Sequence, residues 1–400
     1  MKYGVLWRKT TMNIGDDIQS YAQSVWLPQV DYMVDIEELD AFHSDNDEPV
    51  ATIMSSWYMW QKWNWPPSKD IYPLWVGLHY NDIQRGRPRG MPSKWEYVDN
   101  GPGLEYLKAY EPIGCRDYYT QARLDELGVK NYYSGCITLT LPKRKIVKPE
   151  KEYIVVVGVD KPTEKYVCKF FENSDIEVKV VKPTRPEPST NLTWEERKAE
   201  VEQLLDLYQN SRGVITFRLH CSLPCLALEV PVLLVRPSFE SVRFSPYKDY
   251  LNTATPSDIL GGKLDKWLEN PVPNPEAYKE VRESLSKTVT AFIETAKGET
   301  RKASELVRTS YTDDEVMRWQ HDTMKKTLHN YHIEHHIDLA ERNKLKKDVE
   351  RLNKQVEKLN NKLDKKQAKI DEFKSYGFLK LIRLAIGRLK IVRAIRHKPK

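Results

Sequence analysis

The sequence predicts a mixed α/β fold built on parallel strands. Residues 214–235 show it best: a short β-rich run, an apolar segment of helical length and a second apolar run, VLLV, follow one another. Short apolar runs separated by helices are typical of parallel strands that are buried on both faces. Residues 3–7 and 153–159 have the same apolar character. We therefore expect parallel strands in both halves of the chain.

Length and charge limit the class of protein. Four hundred residues, 40% of them hydrophobic, suffice for two or three domains with their own cores. Residues 375–400 carry eight Lys or Arg and no acidic residue, and subtracting these eight charges from the total of +6 leaves residues 1–374 at −2. The basic character thus belongs to the end of the chain, and we expect no nucleic-acid partner.

The cysteine pattern and the first residues indicate the compartment. Five cysteines are odd in number and lack zinc-ligand spacing, which predicts free thiols in a reducing, cytosolic setting. Residues 1–10 contain no long apolar run, unlike a signal peptide. No phosphate-loop, zinc-protease or dinucleotide motif is present, so we expect neither a metal nor a cofactor.

Arg218 and His220 stand in the turn between the first strand and the helix of residues 214–235. Such a turn lies at the carboxyl edge of a parallel sheet, beside free backbone N–H groups that favour anions. A guanidinium and an imidazole there predict a phosphate or carboxylate site. The alternative is a buried strand–helix–strand unit in which both side chains only pair with neighbours.

Other loops supply weaker candidates. In residues 13–17, Gly15 permits an unusual backbone angle, and Asp16 or Asp17 can simply cap the helix that follows. Asp117 is the expected cap of a later helix, with Arg116 before it as a possible cationic contact. His79 ends an apolar run and either faces a cleft or satisfies its own loop.

The stretch at residues 53–65 is unusually aromatic. Such a cluster can be core, but Trp and Tyr outside a periodic element also suit stacking on sugar rings, because each joins an apolar face to a polar group. Trp57 and Tyr58 are the members that we expect in such a platform.

Taken together, these motifs resemble the polysaccharide pyruvyl transferase family over roughly residues 1–255. The segments that carry the resemblance occur in the family's order: N-x-G-D at 13–16, R-D at 116–117, a strand with a Ser-Gly break at 132–141, and R-L-H at 218–220. Residues 243–251 are also similar to the family's R-F segment. Three departures are that Phe217 stands where Ser is common, Glu229 where Gly is usual and Val242 where Asp is expected before that segment.

This resemblance implies a GT-B-like fold, in which two Rossmann-like domains face each other across a cleft. It also implies transfer of the pyruvyl group of phosphoenolpyruvate, as a co-substrate, onto sugar hydroxyls as a ketal, without a metal. On this basis the catalytic residues are His220, as general acid/base, and Arg218. The donor-binding set is Arg116, Arg218, the backbone N–H of Leu219, His220, Asn13 and Asp16, and the acceptor-binding set is Trp57, Tyr58 and His79.

Two other classes of function remain open. A glycosyltransferase that uses a nucleotide sugar can have the same fold, because fold does not determine the donor. A non-catalytic glycan-assembly scaffold is also possible, although the presence of Arg218 and His220 argues against it.

The end of the chain has its own pattern. From Leu345 to Phe373 apolar residues recur in a four–three alternation that is interrupted only at Lys366. This predicts a coiled coil, and β-branched residues at position a with Leu at d favour two parallel strands and hence a homodimer. A long solitary charged helix is the alternative.

Residues 375–400 mix aliphatic and basic side chains too closely for a transmembrane span. We expect an amphipathic helix on an anionic membrane surface, which would make the protein cytoplasmic and peripheral on the inner face of the cell membrane, near a lipid-linked acceptor. An RNA-binding or partner-docking helix is the alternative.

The predicted division of the chain is, in order, 1–145 as an N-terminal α/β domain on the acceptor side, 146–260 as an α/β domain with the R-L-H donor site, 261–335 as helices packing back on the body, 336–374 as the coiled coil and 375–400 as the basic helix.

Overall fold

Parallel sheets dominate the computed structural model, which describes residues 1–59, 64–80, 96–240, 243–306 and 309–375 together with Arg383. The strands of this part of the chain are β1 (Lys2–Trp7), β2 (Tyr32–Asp35), β3 (Val50–Met54), β4 (Ile71–Trp75), β5 (Ile113–Cys115), β6 (Asn131–Tyr133), β7 (Tyr153–Val157), β8 (Glu177–Val181), β9 (Gly213–Thr216), β10 (Val232–Val235) and β11 (Asn252–Ala254). One sheet has the order β2-β1-β3-β4, a second has β11-β10-β9-β7-β8, and β5 pairs with β6. All these pairings are parallel, so the predicted α/β class is confirmed.

Helices connect and flank the strands. They are α1 (Ile14–Ser24), α2 (Glu96–Asp99), α3 (Gly101–Ala109), α4 (Tyr118–Glu126), α5 (Lys161–Phe170), α6 (Trp194–Gln209), α7 (Leu219–Ala227), α8 (Pro256–Leu260), α9 (Asp265–Glu269), α10 (Tyr278–Gly298), α11 (Ala303–Leu306) and α12 (Asp313–Ser375). The α7 helix begins two residues before the apolar segment that suggested it, so Leu219 and His220 form its first turn.

The two large sheets belong to one unit, made of Met1–Arg85 and Pro92–Lys326. The central strands β7, β9 and β10 consist of buried residues, as their apolar runs predict. A single hydrophobic cluster combines side chains of both halves, among them Val5 and Val155. The predicted boundary at residue 145 falls between the sheets, while the division into separate domains stays a prediction.

A buried ion cluster also connects the two halves of this unit. Asp17 on α1 lies 2.6 Å from Arg185, which follows β8, and 3.3 Å from Arg197 on α6. The Arg197 guanidinium also donates to the backbone carbonyls of Arg8, Lys9 and Ser189. Burial raises the pKa of Asp17 although both arginines act to lower it. This cluster holds the loop after β1 against the second half of the chain.

The turn from α7 to β10 forms without the glycine that the family usually has there. Glu229 has a φ of 58°, in the left-handed region, which costs a residue with a side chain about 1–2 kcal/mol. The turn is held by the Val230 N–H, which donates to the Cys225 carbonyl at 2.9 Å, and the Glu229 carboxylate pairs with Lys143. The tight helix-to-strand connection is therefore kept despite the substitution.

One predicted strand is wrong. Residues 132–141 do not continue as a strand, because Gly135 turns the chain with a φ of +70°. β6 ends at Tyr133, and a 3₁₀ turn follows at Ile137–Thr140. The Ser-Gly break thus ends the strand.

The second unit comprises Gly86–Met91 and Thr327–Lys400, and its described part is the helix α12 from residue 327 to 375, with Arg383. Among the described helices none is both long and apolar enough to cross a membrane. The predicted basic helix at 375–400 lies outside the described residues except for Ser375 and Arg383.

Candidate functional site

Loops that follow parallel strands bring polar side chains to one region of the first unit. The carboxyl ends of neighbouring parallel strands are where α/β proteins bind ligands. The side chains concerned are Asn13 and Asp16 after β1, His79 after β4, Arg116 after β5, His220 after β9 and Arg243 after β10. The charges of Arg116 and Arg243 both act on His79 and His220, which places these four side chains in one electrostatic cluster.

His79 and Asp117 form a buried pair within this cluster. The His79 Nδ1 lies 2.5 Å from Asp117 Oδ2, and the two side chains are 3% and 1% exposed. The other oxygen of Asp117 accepts from the backbone N–H and the hydroxyl of Thr120, at 2.8 and 2.9 Å. Asp117 is therefore the predicted cap of α4 and also the partner that orients the imidazole.

The surroundings of His79 keep its imidazole neutral near pH 7. Burial lowers its pKa to about 4, and the charge of Arg116 acts in the same direction while Asp117 opposes it. With Nδ1–H donating to Asp117, Nε2 is the acceptor nitrogen of the ring. A neutral imidazole with a fixed tautomer can accept a proton.

Arg116 lies at the centre of the cluster and is 1% exposed. Its backbone is fixed at both ends, because its N–H donates to the Leu78 carbonyl at 2.8 Å and its carbonyl accepts from the Tyr247 hydroxyl at 3.1 Å. No acceptor from the described part of the chain reaches its buried Nη1. A buried guanidinium nitrogen without an acceptor costs free energy, so it suggests a ligand anion.

His220 approaches this cluster from the second half of the chain. Its side chain is 6% exposed, its Nε2 lies 4.0 Å from Cys136 Sγ, and its Nδ1 has no hydrogen-bond partner among the described residues. Gly15 lies close to His220, because a Cβ added to Gly15 would be only 3.1 Å from the His220 Cβ. The glycine at this position therefore permits His220 to approach α1 closely. Burial, followed by the charges of Arg116 and Arg243, lowers the pKa of His220 well below its usual value.

Arg243 is a member of the cluster that the sequence did not suggest as a site residue. Burial, followed by the charge of Arg116, lowers the pKa of Arg243 to about 10, whereas Asp16 opposes this shift. Its Nε has no acceptor within the described ranges. The one signal was its place in a stretch, R-F-S-P at 243–246, that is similar to the family's R-F segment.

Asn13 and Asp16 occupy the corner where the loop after β1 meets the second half. Asn13, not either aspartate, caps α1, because its side-chain oxygen accepts from the Gly15 N–H at 3.2 Å. Asp16 in turn accepts from the Asn13 amide at 3.0 Å and from the Thr11 hydroxyl at 2.7 Å. Both side chains are half-buried and engaged in this local network, so their predicted contact with the donor stays a prediction.

The Arg218 side chain does not belong to the buried cluster. Arg218 is exposed, and its side chain extends over Gly158 at the end of β7. The approach is close, because a Cβ added to Gly158 would lie only 3.0 Å from the Arg218 Nε. Its backbone forms the N-cap of α7, and Leu219 is the first helical residue. The predicted roles of Arg218 and of the Leu219 N–H therefore stay predictions.

The aromatic platform requires a correction. Tyr58 is fully buried and packs edge-on against Trp65 and Trp75, with ring centroids 5.8 and 5.4 Å away, so its ring has no free face for a sugar. Trp57 is half-buried, and the Arg8 guanidinium lies 5.1 Å from the centroid of its ring. Of the two predicted members, Trp57 remains a candidate.

Of the predicted site residues, Asp16 lines a small cavity, and the charged side chains of the buried cluster do not line it. The cavity beside Arg8 and Asp16 measures about 10 Å³, which is room for about one water molecule. In the part of the chain that the structure describes, no three His, Cys, Asp or Glu side chains are arranged to hold a metal ion.

A much larger cavity lies elsewhere in the first unit. Its volume is about 750 Å³, and its lining includes Pro66, Tyr106, Tyr311 and Gln320. None of the side chains of the buried cluster lines this cavity. The cluster, and not this cavity, is the candidate site for an anion, because buried nitrogen atoms without hydrogen-bond partners among the described residues are found there.

The fold and the cluster define an α/β protein with a cationic, imidazole-containing site at the ends of its parallel strands. Comparison with known families agrees with this class. The family described as polysaccharide pyruvyl transferase matches residues 103–238, a segment that contains Arg116, Arg218 and His220. The resemblance predicted from the sequence is therefore confirmed for this part of the chain, and it supports a transferase.

Solved structures are similar only distantly. The UDP-GlcNAc 2-epimerase of Methanocaldococcus jannaschii, in complex with UDP-GlcNAc and UDP, is 10% identical, with 75% of this chain and 100% of that chain covered and a TM-score of 0.35. S. aureus MnaA with UDP is 10% identical, with 78% and 100% covered and a TM-score of 0.41. TM-scores this low support no further conclusion. No curated protein matches the chain significantly.

Proposed function

We propose that this protein transfers the pyruvyl group of phosphoenolpyruvate to two hydroxyls of a sugar, as a ketal, in the synthesis of a cell-surface polysaccharide. The observation that carries the proposal is the group of three buried nitrogen atoms without hydrogen-bond partners among the described residues, on Arg116, Arg243 and His220. The match of residues 103–238 to the pyruvyl transferase family supports the same donor.

The charge of the cluster fits this donor. Phosphoenolpyruvate has a phosphate and a carboxylate, and guanidinium groups bind both with charge-assisted hydrogen bonds. Arg116 and Arg243 would share these two groups, while the exposed Arg218 and the first turn of α7 would close over the phosphate from the opposite side. The GT-B-like arrangement, with the cleft between the two sheets, is part of this proposal.

The reaction needs proton transfer but no electron acceptor. One sugar hydroxyl adds to C2 of the enol phosphate, and a proton adds to C3, which becomes a methyl group. The second hydroxyl then displaces phosphate from C2, and its proton leaves with the phosphate. Two C–O bonds form at C2 and one breaks, so the protein has to bind anions and move protons.

The two imidazoles divide this work in our proposal. His220, whose Nδ1 has no hydrogen-bond partner among the described residues, carries the proton from the first hydroxyl to C3. His79, fixed by Asp117, takes the proton of the second hydroxyl and passes it to the leaving phosphate. An anionic donor would neutralise Arg116 and Arg243, whose charges lower the pKa of both imidazoles, so donor binding itself would make them better bases.

Replacing Asp117 with Asn tests this role. We expect turnover to fall by about 10²–10⁴, because the tautomer of His79 is no longer fixed and its protonated form loses its counter-charge. Affinity for phosphoenolpyruvate should change little, since the arginines are intact. Turnover is measured as phosphate release with free and lipid-linked glycans, and the product is identified by the mass of an added pyruvyl group.

Asp160→Asn is the matched control. Asp160 caps α5 through the Thr163 N–H at 2.7 Å, as Asp117 caps α4, and Asn retains the capping oxygen in both variants. The control should keep full turnover. Equal losses in both variants would show that only helix capping matters, and wild-type protein that forms no pyruvylated glycan in the full panel would contradict the proposed function itself.

The place of action is a separate part of the proposal. The eight basic residues and the aliphatic residues of 375–400 suit the surface of an anionic cytoplasmic leaflet. An anchor there would bring the site near an acceptor that is carried on a lipid.

A further inference from the structure

The second unit exposes a regular apolar seam. Seven apolar side chains of α12 recur at alternating spacings of three and four residues, with one longer step. Each of them is 48–64% exposed. They are Leu345, Val349, Leu352, Val356, Leu359, Leu363 and Ile370. A surface helix normally buries such a stripe. A spacing that averages about 3.5 residues is that of a left-handed coiled coil, not that of packing on a globular core.

The residues beside the seam suit a second copy of the same helix. With Val349 at position a, the flanking positions between Lys346 and Lys369 include Asn353, Gln355, Asn360 and Gln367. In a parallel pair with equal register, Asp348 would face Asn353, and Gln355 would face Asn360. The flanking pairs from Asp348 to Gln367 oppose no like charges. Like charges do meet near the carboxyl end, where Lys366 faces its own copy and Lys369 faces Lys374, so self-pairing is favoured most between Leu345 and Leu363.

We propose that the protein is a homodimer whose two chains pair in parallel, in register, through this seam. Three of the four a positions, Val349, Val356 and Ile370, are β-branched and the fourth is Leu363. With Leu at d this pattern favours two strands over three or four. The interruption at Lys366, a d position, gives the seam a polar site near its carboxyl end. Such a site lowers the stability of a coiled coil and fixes its register.

A parallel pair has a consequence for the whole molecule. It places the two copies of residues 375–400 at the same end of the coil. Two weak membrane-binding segments on one particle bind with a higher effective concentration than either alone. The dimer is independent of the proposed pyruvyl transfer, so each can fail without the other.

Sedimentation equilibrium of the full chain tests the dimer. Wild-type protein should have the mass of two chains, and the double variant Leu352→Asp/Leu359→Asp should be monomeric, with dimerisation weakened more than 100-fold. Asn361→Asp/Ala368→Asp is the matched control, because it adds the same charge at two exposed positions opposite the seam. This control should remain dimeric.

Two results would overturn the proposal. One is a monomeric wild-type protein at micromolar concentration. The other is a Leu352→Asp/Leu359→Asp protein that stays dimeric, since pairing would then use a different surface. Circular dichroism of the same samples separates loss of pairing from loss of the fold of the first unit.

A cysteine placed in the seam tests the orientation. Cys168 is the exposed cysteine of the described residues, so a Cys168→Ser background leaves only buried thiols. There, Leu352→Cys should cross-link to the same position of the second copy on mild oxidation, whereas Asn361→Cys should not. Absence of the Leu352→Cys cross-link in a protein that is dimeric would overturn the parallel, in-register arrangement.

Discussion

Replacing Arg116 with Met is expected to stabilise the ligand-free protein and to remove its affinity for phosphoenolpyruvate. The guanidinium is 1% exposed, and its Nη1 has no acceptor among the described residues, so the fold carries a desolvated charge. A Met of similar length should raise the free energy of unfolding by about 1 kcal/mol. The gain is smaller than relief of desolvation alone would give, because Arg116 also acts to lower the pKa of Asp117 and so stabilises that carboxylate. A substitution that raises the stability of the protein and lowers its affinity for the donor identifies a residue whose role is to bind the ligand.

Loss of the same guanidinium should weaken donor binding by about 2–5 kcal/mol, or roughly 30- to 4,000-fold. Urea unfolding and calorimetric titration measure the two effects on one preparation. Arg123→Met is the control, because Arg123 is hydrogen-bonded to Asp99 and lies 2.8 Å from Glu126. An Arg116→Met protein that is less stable than wild type and still binds the donor would show that Arg116 is a structural residue.

Replacing Arg197 with Met is expected to have the largest effect on stability. Arg197 is fully buried, contacts Asp17 and donates to three backbone carbonyls, and its guanidinium lies 4.4 Å from the centroid of the Trp7 ring. Removing it leaves Asp17 with Arg185 as its remaining cation and deprives the carbonyls of their donor. We expect a loss of about 3–5 kcal/mol in urea unfolding at neutral pH.

Arg212→Met is the matched control for this second substitution. The Arg212 side chain is 29% exposed and pairs with Glu152 at 3.0 Å, an ion pair near the surface. Its loss should cost less than about 1 kcal/mol. Equal effects of the two substitutions would contradict the view that the buried ion cluster holds the two halves of the first unit together.

The sequence was informative wherever local periodicity decides the structure. The buried strands β1, β7, β9 and β10 follow their apolar patterns closely. The strand expected over 132–141 failed because one glycine with a positive φ outweighs the β propensity of its neighbours. At Glu229 the surroundings outweigh the local preference instead. The backbone there has a positive φ that favours glycine, and the rest of the α7–β10 turn holds a residue with a side chain in that conformation.

The site was predicted in part. Arg116 and His220 were predicted because the turn after a parallel strand is a known position for ligand contacts. The structure places both in one buried cluster, and their roles stay predictions. The partnership of His79 with Asp117 joins residues 38 positions apart, and the contribution of Arg243 depends on a segment far along the chain. Local patterns contain no information on such contacts. Tyr58 was misassigned because an aromatic cluster in a sequence does not reveal which ring faces inward.

The central claim is the identity of the donor, and calorimetric titration of the full chain tests it most directly. Phosphoenolpyruvate and a panel of UDP-sugars are titrated separately into the same wild-type preparation. We predict binding of phosphoenolpyruvate, which Arg116→Met removes, and no binding of the UDP-sugars. Binding of a UDP-sugar without binding of phosphoenolpyruvate would contradict the account and assign the cluster to a nucleotide-sugar transferase.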